Sequence, residues 1–213
     1  MTMRKRAGSV VFTAAAAAAL MGMSVVPALA STHLTVKVSG GGSYRANAGK
    51  TVLTDNGISV TCTSSKGSGK LPSGTHRGAA PVKLGSVAKL SFSNCSGILG
   101  TVTTHVQSKP SLNADSKTNR KGQTDAIISG VKVSVSTTGC SFTVTGSAPG
   151  FYTNRTHTLT MTPKLPVKPI KKAQLTISGV AVGTCGGLVK NGDHPTYKAT
   201  YKVSLKRLKI TSR

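Results

Sequence analysis

The sequence predicts an all-β fold, an antiparallel β-sandwich or barrel, on three observations. Apolar and polar residues alternate with period two along most of the chain after residue 30. Gly, Ser, Asn and Pro punctuate the alternating runs at short intervals. No window after residue 30 carries a sustained stripe of helical period, and β-branched residues with scattered glycines would penalise one. Many short strands at regular spacing form the pattern of sandwiches and barrels.

The first 30 residues stand apart. Arg4, Lys5 and Arg6 precede an apolar stretch from Val10 to Val26, and Ala28-Leu29-Ala30 supplies a small-x-small cleavage pattern. Gly22, Ser24 and Pro27 interrupt that stretch, and no stop-transfer segment follows. The expectation is a cleaved secretory signal over 1–30 and a single all-β domain over 31–213, secreted or cell-wall associated, with no transmembrane segment in the mature chain.

Within the domain, strands are expected at Leu34–Val38, Thr51–Leu53, Ile58–Cys62, Ala88–Phe92 and Thr101–Val106. Gly40-Gly41-Gly42 reads as a flexible link after the first of them. Ser108 to Gln123 is polar and reads as an exposed loop. Val131, Val133 and Val135 alternate with Lys132, Ser134 and Ser136. After a turn at Thr137-Thr138-Gly139 the alternation resumes with Cys140, Phe142 and Val144, which predicts a hairpin. Further strands are expected at Thr156–Met161 and Gln174–Val182. Between them, Pro163, Pro166 and Pro169 recur three apart, suiting a stiff exposed crossover. The clearest alternation runs from Thr196 to Lys206, with Tyr197, Ala199, Tyr201, Val203 and Leu205 facing the core.

Cys62, Cys95, Cys140 and Cys185 are even in number in a chain expected to be exported, so two disulfides should form. Of three connectivities, the local one, Cys62–Cys95 with Cys140–Cys185, is favoured because it staples each half. Each bridge would contribute about 3–4 kcal/mol by the chain-entropy account. Zinc is a weak rival: no C-x-x-C pair exists, and no Cys has a His at ligand spacing. Ser91–Gly100 and Val180–Val189 echo one another, each running into a Cys, a Gly-rich turn and an aliphatic pair. That echo points to two similar halves.

The layout Thr51-Val52-Leu53-Thr54-Asp55, Val60-Thr61-Cys62-Thr63-Ser64-Ser65, Cys95-Ser96-Gly97, Cys140, then Thr184-Cys185-Gly186-Gly187-Leu188-Val189-Lys190-Asn191-Gly192-Asp193 resembles a family of uncharacterised secreted actinobacterial proteins. Members are β-rich with four cysteines. The resemblance covers most of the mature chain; it implies export and a four-Cys β fold, and no reaction. This chain is far more basic than that family leads one to expect.

Little here suggests catalysis. The chain has four acids, Asp55, Asp115, Asp125 and Asp193, and no Glu. Asp115 and Asp125 lie beside the polar loop, where solvent should keep them ordinary, and Asp193 should cap the Asn191-Gly192 turn. No carboxylate pair is expected. No Gly-x-Ser-x-Gly elbow or phosphate-cradling loop occurs. No cofactor or metal is therefore expected. His105 and His157 fall in predicted strands, and a secreted hydrolase would need one of them, or His194, beside an Asp in a cleft. The sequon Asn154-Arg155-Thr156 reads as chance. Tyr44, Phe151 and Tyr152 are the aromatic residues expected to be exposed.

Charge is the remaining clue. Twenty-eight Lys and Arg against four acids give +24, and the leader would remove three cations and no acid. Lys198, Lys202 and Lys206 should share the outer face of the last long strand, neighbours about 13 Å apart. Lys164, Lys168, Lys171 and Lys172 crowd the Pro-rich crossover. The expectation is a non-catalytic extracellular or cell-surface protein whose lysines meet an anionic cell-wall polymer or extracellular nucleic acid. The alternatives are the His–Asp hydrolase and an envelope structural protein that self-associates through an uncovered strand edge.

Overall fold

The computed structural model describes residues 33–213; the expected signal peptide lies outside the described residues. The strands are β1 (His33–Ser39), β2 (Gly42–Ala48), β3 (Thr51–Asp55), β4 (Ile58–Leu71), β5 (Gly74–Ala79), β6 (Val82–Gly97) and β7 (Gly100–Val106). They continue with β8 (Ser111–Ala114), β9 (Gln123–Thr137), β10 (Cys140–Thr153), β11 (Thr158–Met161), β12 (Leu175–Ser178), β13 (Thr196–Val203) and β14 (Lys209–Ser212). One three-residue 3-10 turn, Cys185–Gly187, is the only helical element among the described residues.

Four long strands organise the sheet, and short strands divide their length. β4 pairs β3 near its start and β2 near its end. β6 pairs β8 and then β7, β9 pairs the same two, and β10 pairs β12 and then β11. All pairings are antiparallel. The remaining ladders are β4–β6, β9–β10, β11–β13 and β13 with β2 and β3. Following them from β10 through β11, β13, β2, β4, β6, β8 and β9 returns to β10. The main sheet therefore closes into a sandwich-like barrel, with short unpaired stretches at β12 and in the middle of β6.

The long strands bend where a register shift falls beside glycine. Such shifts occur at Ser68/Gly69 in β4 and between Lys83 and Gly85 in β6. A Cβ on Gly69 would collide with the Ser86 carbonyl, and one on Gly85 with the Lys70 carbonyl. Only glycine lets the two backbones approach so closely while the strands turn.

A separate three-stranded sheet, β14-β1-β5, packs Leu34, Val36, Val38 and Ile210 into the same core as Leu71, Leu84 and Tyr152. Its outer β14 edge is covered by side chains. Asn154 Nδ2 donates to the Ile210 carbonyl and its Oδ1 accepts the Ile210 amide, each at 2.8 Å. The Ser212 amide donates to Thr118 Oγ1 at 2.7 Å. The sequon asparagine is thus spent on a strand edge.

Both disulfides join the favoured pairs. Cys62 and Cys95 stand directly opposite on β4 and β6, and Cys140 at the start of β10 bonds Cys185 in the 3-10 turn. The predicted hairpin is present, with Thr137 opposite Cys140.

Several expectations are corrected. Gly40–Gly42 is no loose link: a Cβ on Gly41 would strike the Leu71 carbonyl, and Gly42 opens β2. The Ser108–Gln123 loop contains β8, whose Asn113 and Ala114 are buried. Tyr44 and Tyr152 are buried, with hydroxyls on the Ser86 and Leu208 carbonyls. β12 stops at Ser178, because the chain there folds into turns held by Asn191 on both polar groups of Val180. Ser91–Gly97 is strand while Val180–Val189 is turn, so the two echoing segments are not structural equivalents.

Candidate polyanion-binding surface

The outer face of the β14-β1-β5 sheet is a polar checkerboard. In β1, alternation sends Leu34, Val36 and Val38 inward and Thr35 and Lys37 outward. Register sets Thr75 of β5 and Thr211 of β14 on either side of Lys37. It sets Arg77 on one side of Thr35, while Arg213 exchanges two backbone hydrogen bonds with Thr35, both 3.1 Å, on the other. One row is therefore Arg213–Thr35–Arg77 and the next Thr211–Lys37–Thr75. Two strand spacings separate the arginines by about 10 Å, with the lysine one step, about 7 Å, along. These residues line a hollow of about 410 Å³. Lys37, Arg77 and Arg213 are exposed. A threonine hydroxyl beside each cation can donate to the same anion oxygens.

A second cationic field lies on the barrel wall. Across β13, β2 and β4, Lys202 faces Asn47 and Asn47 faces Lys66; Arg45 faces Ser68 and Ser68 faces Lys89 of β6. Lys66, Lys89, Arg45 and Lys202 are all exposed on that face. Lys198 shares it, opposite Val52 of β3. Lys206 does not share the strand, as β13 ends at Val203 and the chain turns where Leu208 bonds back to Leu205. That breaks the predicted row of three.

Lys164, Lys168, Lys171 and Lys172 are exposed on the crossover, which lies against β8 and β10. Here the acids supply an unexpected arrangement. Asp115 and Asp125 are both 0% exposed and lie near one another, contrary to the expectation of two solvated, unpaired acids. The crossover covers them: the Lys171 amide donates to Asp115 Oδ2 at 3.0 Å, and the Ile170 amide to the Asp115 carbonyl at 3.4 Å. Ser116 and the Val167 amide stand by the Asp125 carboxyl, yet neither of its oxygens has a well-formed hydrogen bond. Burial, reinforced by the Asp115 charge, pushes Asp125 up to about 6. Burial raises Asp115 too, against the Lys171 and Ile170 amides that lower it.

The other two acids also meet. Asp193 caps its turn as expected, its Oδ2 accepting the Lys190 amide at 2.8 Å. Burial and the neighbouring Asp193 raise Asp55 to about 6, with His194 opposing. His194 Nδ1 faces the Leu175 carbonyl at 3.1 Å rather than a carboxylate. His105 lies exposed on β7, and His157 sits in a turn before β11 with Nδ1 3.1 Å from the Tyr152 hydroxyl. Among the described residues, no group of three or more His, Cys, Asp or Glu gathers as a metal site would, and no helix is long and apolar enough to cross a membrane.

Sequence reasoning missed Lys37, Arg77 and Arg213. β5 reads Gly-Thr-His-Arg-Gly-Ala and has no large apolar residue to announce it. Only Lys37, within the expected first strand, carried a legible signal. No family model, curated protein or solved structure matches the chain.

Proposed function

We propose that this is an exported, non-catalytic protein that binds an anionic polymer through the hollow of Lys37, Arg77 and Arg213. The polymer is a phosphodiester chain, of the cell wall or of extracellular nucleic acid. The observation that carries the reading is three cations interleaved with three threonines on one concave face. All four aspartates lie elsewhere, in two pairs. The wall with Lys202, Lys66, Arg45 and Lys89 extends the field and suits a ligand longer than one phosphate. Charge of this kind yields salt-sensitive, weakly sequence-dependent association.

The test is binding to teichoic acid and to duplex DNA across a salt series. Affinity should fall steeply with salt, and Arg77→Gln should lower the slope of log K against log salt by about 1. Elution from a polyanion column at the salt of a neutral protein of equal size refutes the reading. Separate responses to the two polymers identify the source. Sedimentation without ligand addresses the self-association alternative: growth of the sedimenting species with concentration would favour it.

A further inference from the structure

The barrel encloses a second site, unrelated to the charged faces. An apolar cavity of about 110 Å³ occupies its interior. Small inward residues leave the room: Ala46 on β2, Gly67 on β4 and Ala148 on β10 all line it. A Cβ on Gly67 would meet nothing closer than 3.9 Å, so that space is open rather than filled by a neighbour. Apolar cavities of roughly 150 Å³ stay dry and take up benzene.

The wall has a lateral slot leading to this cavity. β7 pairs β6 only through Gly100–Val102, then leaves it to pair β9 through Thr103–Val106. Lower down, β6 regains a neighbour where the Val87 amide bonds the Pro110 carbonyl at 2.8 Å. Between these points, residues 88–94 of β6 have no ladder partner on the β7 side. Leu90 and Phe92 of that stretch and Thr104 of β7 line the cavity while remaining half-exposed. The gap beside them follows from the missing ladder partners between β6 and β7.

One polar cluster faces the apolar interior, and its proton order is fixed. The Ser65 hydroxyl donates to the Ser91 carbonyl at 3.0 Å, which can only accept. Tyr201, 2.8 Å from Ser65 Oγ, must then donate to it. Tyr197, 2.7 Å from the Tyr201 hydroxyl, must donate in turn to Tyr201. Thr51 stands near the Tyr197 hydroxyl. The chain spends its O–H donors internally and leaves oxygen lone pairs, so it can receive a hydrogen bond but not give one. Burial raises both tyrosines, which shows that the interior disfavours negative charge.

We propose that the barrel interior binds a small, neutral, mainly apolar molecule bearing one O–H donor, a phenol or similar alcohol, which passes between β6 and β7 and donates to the Tyr201 hydroxyl. A hydrocarbon of the same size binds more weakly, and a carboxylate is excluded.

The test uses the disulfide-intact mature chain with phenol, benzene and benzoate as probes, read by methyl NMR titration. Phenol and benzene should shift the methyls of Leu90, Val133 and Leu159 saturably, phenol binding about fivefold tighter for one net hydrogen bond. Benzoate should shift none of them. Tyr201→Phe should bring phenol down to the benzene level without changing benzene affinity, a result that a merely structural tyrosine would not give. Ala148→Leu should abolish both by filling the cavity. Unmoved methyls in the wild-type chain at saturating phenol and benzene, or phenol preference retained by a folded Tyr201→Phe variant, overturns the proposal. Neither outcome bears on polyanion binding.

Discussion

The wall of β13, β2, β4 and β6 and the wall of β8, β9 and β10 both carry lysine, but they hold it differently. On the first, cations alternate outward along the strands and meet uncharged residues across the register: Asn47, Ser68, Val52 and Thr158. On the second, the lysines ride on a crossover whose backbone amides reach down to Asp115 and towards Asp125. The difference teaches that the placement of four acids, more than the number of lysines, decides which cations face a ligand unopposed. Where carboxylates are buried, they anchor a loop through amides; where none lies near, the charge is free to recruit a partner.

The largest effect should come from the two bridges, one stapling each wall. Replacing Cys62 and Cys95, or Cys140 and Cys185, with serine should cost about 3–4 kcal/mol each, for separations of 33 and 45 residues. Denaturant titration of the two variants measures the costs. A much smaller loss on one side would show that its wall holds without the staple.

The buried Asp125 should give the second wall a pH dependence of its own, beside the one that Asp55 gives the first. Asp125 lies above its ordinary carboxyl value in the folded chain, so the fold binds more protons than the unfolded chain between about 3.8 and 6. Stability is therefore greatest below the unfolded value and is lost as pH rises through about 6. The shift corresponds to about 2–3 kcal/mol at most. Asp125→Asn should raise Tm at pH 7 and flatten the profile between pH 4 and 7, measured by calorimetry. A Tm that falls on acidification over that range contradicts the raised Asp125 carboxyl.

A smaller and more selective effect separates the cation sets. Lys66→Gln with Lys202→Gln should lower the salt slope of polyanion binding by about 2, whereas Lys164→Gln with Lys168→Gln should lower it less. Equal losses would make the surface one continuous field. Smallest of all, Tyr201→Phe should cost about 1 kcal/mol of stability by breaking the hydroxyl chain in the cationic wall.

Much of the framework was legible because alternation is a local property. Val131–Val135 and Phe142–Val144 announced β9 and β10, and Tyr201 announced its own burial. The missing parts depended on contacts distant in sequence. β5 and β8 are too polar to signal themselves and exist because β1, β6 and β9 offer them ladders. Asp115 and Asp125 looked solvated because their polar surroundings are the inner side of a covered segment, which period-two reading cannot distinguish from an outer one. Lys206 followed the alternation perfectly and still left the strand, since the chain turns there, with the Leu208 amide bonded to the Leu205 carbonyl and Leu208 buried.

The cation-lined hollow borrows one strand from the beginning of the domain and one from its far end. β1 contributes Thr35 and Lys37, while Thr211 and Arg213 reach it only after the barrel segments have been threaded between them. Such long-separation pairings form late, because loop-closure entropy must be overcome before they are rewarded. A chain truncated before Lys209 would keep most barrel ladders yet lose one flank of its docking face. Under the proposed function, only chains that have completed this pairing would present the whole cationic face.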